Sequence, residues 1–85
     1  MDRYSLYLRR EVLDAIGAYR RPDRDRILRF LDSLEADPFQ IGDFEIRDAD
    51  LRPYQVRIVG SLAVVYWADH AVREVKVVAL RNADR

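Results

Sequence analysis

Tyr54-Gln55-Val56-Arg57-Ile58-Val59-Gly60-Ser61-Leu62-Ala63-Val64-Val65-Tyr66-Trp67-Ala68 is the stretch on which the fold turns. In its first half, Tyr54, Val56 and Ile58 share one face of an extended segment, and Gln55, Arg57 and Val59 share the other. A period of two is the signature of a strand. Gly60-Ser61 then reads as a two-residue hairpin turn with glycine first, where a positive φ is required. Leu62 to Ala68 is apolar on both faces, which predicts an inner strand covered on both sides.

Outward from this hairpin the pattern stays strand-like and then changes. Asp69-His70-Ala71 predicts a turn, and Glu74 to Leu80 a last strand in which Val75, Val77 and Ala79 alternate with Lys76 and Val78. Upstream, Phe44 and Ile46 alternate with Asp43, Glu45 and Arg47 in a short edge strand, joined to the hairpin by the polar connection Asp48 to Pro53. Before that the period becomes helical. Val12, Leu13, Ile16 and Tyr19 fall on one face, and Ile27, Leu28, Leu31 and Leu34 repeat at the same spacing. Pro22 suits the first turn of the second helix, with Asp23 and Asp25 near its positive end, and Asp37-Pro38 ends it. Tyr4, Leu6 and Leu8 alternate in a first strand. The order of strand, αα-hairpin and antiparallel meander of three or four strands makes an α+β sandwich, with residues 1–85 as one domain.

Composition narrows the function. The chain has 85 residues and 49% are hydrophobic, enough for one core. It contains no cysteine and one histidine, so no disulfide framework is available, and neither a metal site nor a cofactor is expected. The longest apolar run, Leu62 to Ala68, is too short to span a bilayer. The N-terminus lacks the basic-then-apolar layout of a signal peptide. A cytoplasmic protein is expected by elimination. Fifteen basic residues cancel fifteen acidic ones, which argues against a strong sequence-blind grip on nucleic acid but not against a local basic patch. The sole lysine is Lys76, every other basic residue being arginine.

Several segments together resemble the RelE/ParE superfamily of toxin-antitoxin toxins. They are the N-terminal strand with Tyr4, the helix pair ending Leu34-Glu35-Ala36-Asp37-Pro38, the segment Arg52 to Gly60, the strand ending Val64-Val65-Tyr66, and Val75 to Arg81. The resemblance covers nearly the whole chain. It implies a toxin held by a cognate antitoxin whose tail wraps the sheet and helices. RelE-like members cleave mRNA in the ribosomal decoding site, whereas ParE-like members bind and inhibit DNA gyrase. By the same resemblance Arg57 and Arg81 are the candidate catalytic residues. The central strand has Ala63 where the family usually has arginine, and no tyrosine follows Arg81. Both departures predict weak or absent cleavage. Three readings follow: an mRNA endonuclease, a toxin acting by binding a protein, and a non-toxic relative retained as a binding partner.

The candidate residues each have a plainer alternative. Arg57 offers a fork of donors for a phosphate, but could equally pair with Glu45 or Asp43 across the sheet. Arg52, Arg57, Arg81 and Arg85 form the candidate nucleic-acid patch. His70 is expected to be a solvated turn residue rather than a base, and Tyr54 and Tyr66 to be aromatics with hydroxyls at the rim. Trp67, with Val65 and Ala63, lies opposite Tyr66. If the helices cover the Tyr66 side, Trp67 and Val65 become the candidate partner-binding surface.

Overall fold

The computed structural model describes residues 3–83. Strand β1 (Ser5–Leu8) leads into helices α1 (Arg10–Ala18) and α2 (Arg21–Ala36), followed by β2 (Phe44–Arg47), β3 (Pro53–Val59), β4 (Leu62–Asp69) and β5 (Glu74–Asn82). The sheet runs β1-β5-β4-β3-β2. Strands β2 to β5 form the expected antiparallel meander, and β1 pairs in parallel with β5. Because β1 and β2 lie at opposite edges, the helical hairpin has to carry the chain across the sheet, and it does so over one face.

That face holds the core. Val12 and Ile16 of α1, and Ile27, Leu31 and Leu34 of α2, pack on Leu62, Val64 and Tyr66 of β4 and on Val75 and Val77 of β5. Each helix presents a narrower apolar stripe than its sequence suggests. Leu13 and Leu28 are exposed. Each sits one residue round from a buried neighbour, about 100° about the helix axis, which turns it out of the contact. Phe30 packs at the core's margin instead, edge-on to the Tyr66 ring at 5.7 Å.

The expected alternation in β5 also breaks. Val65 pairs with Ala79 and Tyr66 with Val77, so one step on β4 matches two on β5 and Val78 is the extra residue of a bulge. Leu80, not Ala79, therefore returns to the helix side, where it packs on the core. Two glycines fix the connections. Gly60 takes φ 63 in the β3–β4 turn, as its place there demands. Gly42 passes so close to β3 that an added Cβ would stand 2.5 Å from the Val56 carbonyl oxygen.

Candidate functional site

Cross-strand register decides which side of the sheet each candidate residue occupies, because residues paired across strands share a face. Arg57 pairs with Val64, a core residue, so it projects on the helix side. Arg81 pairs with Ala63, on the opposite face. The two candidate catalytic arginines are thus separated by the sheet. Arg57 lies at the margin of the helical layer, where Nη2 donates to Gln40 Oε1 at 3.1 Å and Nη1 stands 3.6 Å from Asp43. Its guanidinium carbon is 5.8 Å from the Phe30 ring centre. The Asp43 pairing is the plainer alternative foreseen for this residue. Nearby, the buried Tyr66 donates its hydroxyl to the Gln40 carbonyl, and burial pushes its pKa up.

No helix or strand among the described residues packs on the other face, so the second cover expected for β4 is missing there. Side chains from four strands lie across it in rows. Phe44, Val56, Val65 and Ala79 form one, and Ile58, Ala63 and Arg81 another. Val56 and Val65 are hidden by their neighbours, but Phe44, Ile46 and Ile58 remain 51%, 37% and 39% exposed. A run of exposed large apolar side chains on one sheet face marks a contact surface.

Beside this apolar strip the same face becomes cationic and aromatic. Arg9, Arg47 and Arg81 line a hollow of about 310 Å³ together with Ile46, Asp48, Tyr54 and Val65. Arg9, Arg52 and Lys76 line the next, with Tyr7, Tyr54, Trp67 and Glu74. Lys76 is held by Asp69 at 2.9 Å, and this bond holds the Asp69 carboxyl below the usual carboxylate range. Arg47 is paired with Glu45 at 3.0 Å. Among the described residues neither Arg9 nor Arg81 has an acidic partner in an ion pair. Trp67 is flanked by two cations, Arg52 from the connection before β3 and Lys76 from β5. The Arg52 guanidinium carbon lies 4.1 Å from the indole centre and the Lys76 ammonium 5.2 Å.

The turn that delivers Arg52 is built on Asp48. Its Oδ1 accepts the Asp50 and Arg52 backbone N–H groups at 3.0 and 2.9 Å, and its Oδ2 accepts the Tyr54 hydroxyl at 2.9 Å. The Arg52 N–H above all holds the Asp48 carboxyl below its ordinary value, and the bond to Asp48 in turn raises the Tyr54 pKa. Inside this turn Leu51 is exposed and adopts φ 63, a left-handed conformation unusual for leucine.

Of the candidate residues, the fold brings Arg52, Arg81, Trp67 and Val65 to one face and leaves Arg57 on the other. Arg85 lies outside the described residues. His70 sits on the β4–β5 turn as expected, but its ring stacks on Phe39 at 5.3 Å and its Nδ1 is hydrogen-bonded to the Tyr4 hydroxyl. Arg9, Arg47, Lys76 and Asp48 were not singled out from the sequence. Lys76 could have been, since it shares a strand face with neither Val75 nor Val77. Arg9 and Asp48 carry no such signal, because both lie between elements. The described residues contain no metal-binding group of three or more His, Cys, Asp or Glu, and no helix long and apolar enough to cross a membrane.

No protein-family model and no curated protein matches the chain. Solved structures do. A chain of the archaeal RelE-RelB complex from Pyrococcus horikoshii OT3 superposes with a TM-score of 0.80 at 18% identity, covering 99% of both chains. A chain of the toxin-antitoxin complex RelBE2 from Mycobacterium tuberculosis gives 0.76 at 13% identity, over 95% of this chain and 99% of that one. The E. coli toxin RelE, solved in the free state as a double arginine-to-alanine mutant, gives 0.64 at 14%, over 98% and 86%.

Proposed function

We propose, from the RelE-type toxin fold that this chain has, that it is the toxin of a toxin-antitoxin pair and acts by binding protein through its uncovered sheet face. One toxin domain over residues 1–85 and a cytoplasmic site of action belong to the same reading. The observation that carries it is the exposed apolar strip of Phe44, Ile46 and Ile58 beside the Trp67 platform. Such a strip is a ready seat for an apolar segment of another chain. Two of the similar structures are themselves complexes, of RelE with RelB and of RelBE2. A cognate antitoxin is accordingly the first partner, and a protein target such as DNA gyrase the second.

The site's chemistry favours binding over cleavage. Cleaving RNA needs donors aimed at one phosphate and a group to take the 2′-hydroxyl proton. Arg57 and Arg81 lie on opposite faces and cannot share a phosphate, and Ala63 leaves a gap beside Arg81. Asp48, with its depressed pKa and three donors, is a poor base, and the Tyr54 hydroxyl, its pKa raised, is engaged as a hydrogen-bond donor to it. Glu74 lies 3.9 Å from Lys76.

One observation favours the second reading, ribosome-dependent mRNA cleavage. Arg9 and Arg81 line a hollow next to two tyrosines and an indole, a set suited to phosphate and base. The readings are separable. Inducing the chain in bacteria should arrest growth, and co-expressing the product of the adjacent reading frame should relieve it and give a complex on size exclusion. Ile58→Asp should abolish that complex with the circular dichroism unchanged. Separate elution of the wild-type proteins at micromolar concentration would sink the binding reading. In a ribosome-programmed mRNA assay we expect no cleavage. Cleavage that survives Arg57→Ala but is lost in Arg9→Ala and Arg81→Ala would establish the second reading instead.

A further inference from the structure

Arg52 is an exposed residue on a surface connection, where an arginine side chain ordinarily samples many rotamers at an entropic cost to any one of them. Yet it lies over the Trp67 indole at 4.1 Å. An exposed cation–π contact alone favours the stacked arrangement only about two- to fivefold. Something else must aim the side chain. The side chains that order that connection are Arg47, whose Nη1 donates to the Leu51 carbonyl at 3.0 Å, and above all the Asp48 carboxylate, which alone holds the Arg52 N–H. It gathers the Asp50 and Arg52 N–H groups on one oxygen and the Tyr54 hydroxyl on the other. The main chain closes the same turn, with Leu51 N–H donating to the Asp48 carbonyl at 2.9 Å and Asp48 N–H to the Arg52 carbonyl at 3.3 Å. Leu51 is held at φ 63 within it, a conformation that persists only where the surroundings over-determine it.

We infer that Asp48 is the positioning residue of the uncovered face: its carboxylate sets the turn that lays Arg52 on Trp67 and at the same time fixes the Tyr54 hydroxyl. The indole and its guanidinium then present a ready-made platform instead of one assembled on contact, which lowers the ordering cost of docking. Lys76 approaches the same indole independently, held by Asp69. The biological use of the platform rests on the face being a docking surface, but its assembly can be measured with no partner present.

Trp67 is the only tryptophan in the chain, so its fluorescence reports on this site alone. The test compares quenching by neutral acrylamide and by iodide in the wild type, Asp48→Ala, Asp48→Asn, Arg52→Gln and the double variant Asp48→Ala/Arg52→Gln. A stacked guanidinium shields the ring from acrylamide and attracts iodide. Asp48→Ala should therefore raise acrylamide quenching about twofold and lower iodide quenching to the Arg52→Gln level. Asp48→Asn keeps an oxygen for the two N–H groups and should stay near the wild type. The decisive comparison is the double variant, in which removing Asp48 should add nothing to removing Arg52. An equal, additive effect of Asp48→Ala with and without Arg52 would overturn the inference, as would wild-type quenching in Asp48→Ala. Far-UV circular dichroism of each variant excludes global unfolding as the cause. If instead quenching behaves as expected but Arg52→Gln leaves partner binding intact, the positioning stands and the docking role of the platform fails.

Discussion

Val64 and Val65 are neighbours on β4 and both are buried, at 0% and 5% exposure, but by different means. Val64 lies under a second layer, the helical hairpin, in contact with the core that both helices build. Val65 is hidden only by side chains beside it in the same sheet layer, the row of Phe44, Val56 and Ala79. One face has a partner within the chain, and the other has an apolar surface with none among the described residues. Low exposure alone therefore does not identify a structural core. What lies above the residue determines both what its loss costs and what the face is available to do.

The sharpest way to break this contrast is by truncation on each side. Leu34→Ala, on the core side of the helical cover, should destabilise by about 2–5 kcal/mol in a denaturant titration. Ile58→Ala on the other face should change stability by no more than about 0.5 kcal/mol. Equal losses would mean that the two faces are not different in kind. The two tyrosines give a finer comparison. Tyr66→Phe leaves the Gln40 carbonyl without its donor in a half-buried setting and should cost about 0.5–1.5 kcal/mol. Tyr54→Phe should cost less stability but should perturb Trp67 fluorescence, because its hydroxyl partner is the carboxylate that sets the Arg52 turn.

The smallest effect is with pH. The Asp48 and Asp69 carboxyls both have folded pKa values below their ordinary range, the first through the Arg52 N–H and the second through Lys76. The unfolded chain thus binds their protons more readily than the folded one. Their stabilisation is complete above about pH 4, the unfolded carboxylate value, and fades as pH falls through the lower folded values. Both groups lie on the uncovered side. Acid should accordingly shift Trp67 emission before it melts the helices, followed by fluorescence and far-UV circular dichroism together. Coincident transitions would count against a separate, locally ordered platform.

Much of this architecture was legible in residue order. The alternation of Tyr54, Val56 and Ile58, the Gly60-Ser61 turn and the helical spacing of Ile27, Leu31 and Leu34 each reflect a local period, and local periods survive in the sequence. What was not legible was everything that depends on which face acquires a cover. Arg57 and Val56 are correctly placed on opposite sides by period alone, yet only topology puts the helices over Arg57. The β5 bulge defeats the period outright, since one inserted residue sends Ala79 to the uncovered face and Leu80 to the core. Arg52 and Trp67 were each named from the sequence, but their meeting in one platform was invisible for another reason. Arg9, Asp48 and Arg52 lie in connections, where position is set by turns and hydrogen bonds and no repeat announces it.

The parallel pairing of β1 with β5 has a consequence for the order of assembly. Ser5 to Leu8 find their partners at Glu74 to Val77, almost at the far end of the chain. During N-to-C synthesis the helical hairpin can form early from local contacts, but β1 has no strand to join until the last one is made. The hollow lined by Arg9 and Arg81 takes part of its wall from these two distant segments, Arg9 just after β1 and Val78, Ala79 and Arg81 on β5, and the rest from residues 46–65. Its walls can therefore meet only once β5 has been made and has joined the sheet. A nascent chain that ends before β5 can hold the helices but not the complete hollow, because β5 supplies both the partner of β1 and Arg81.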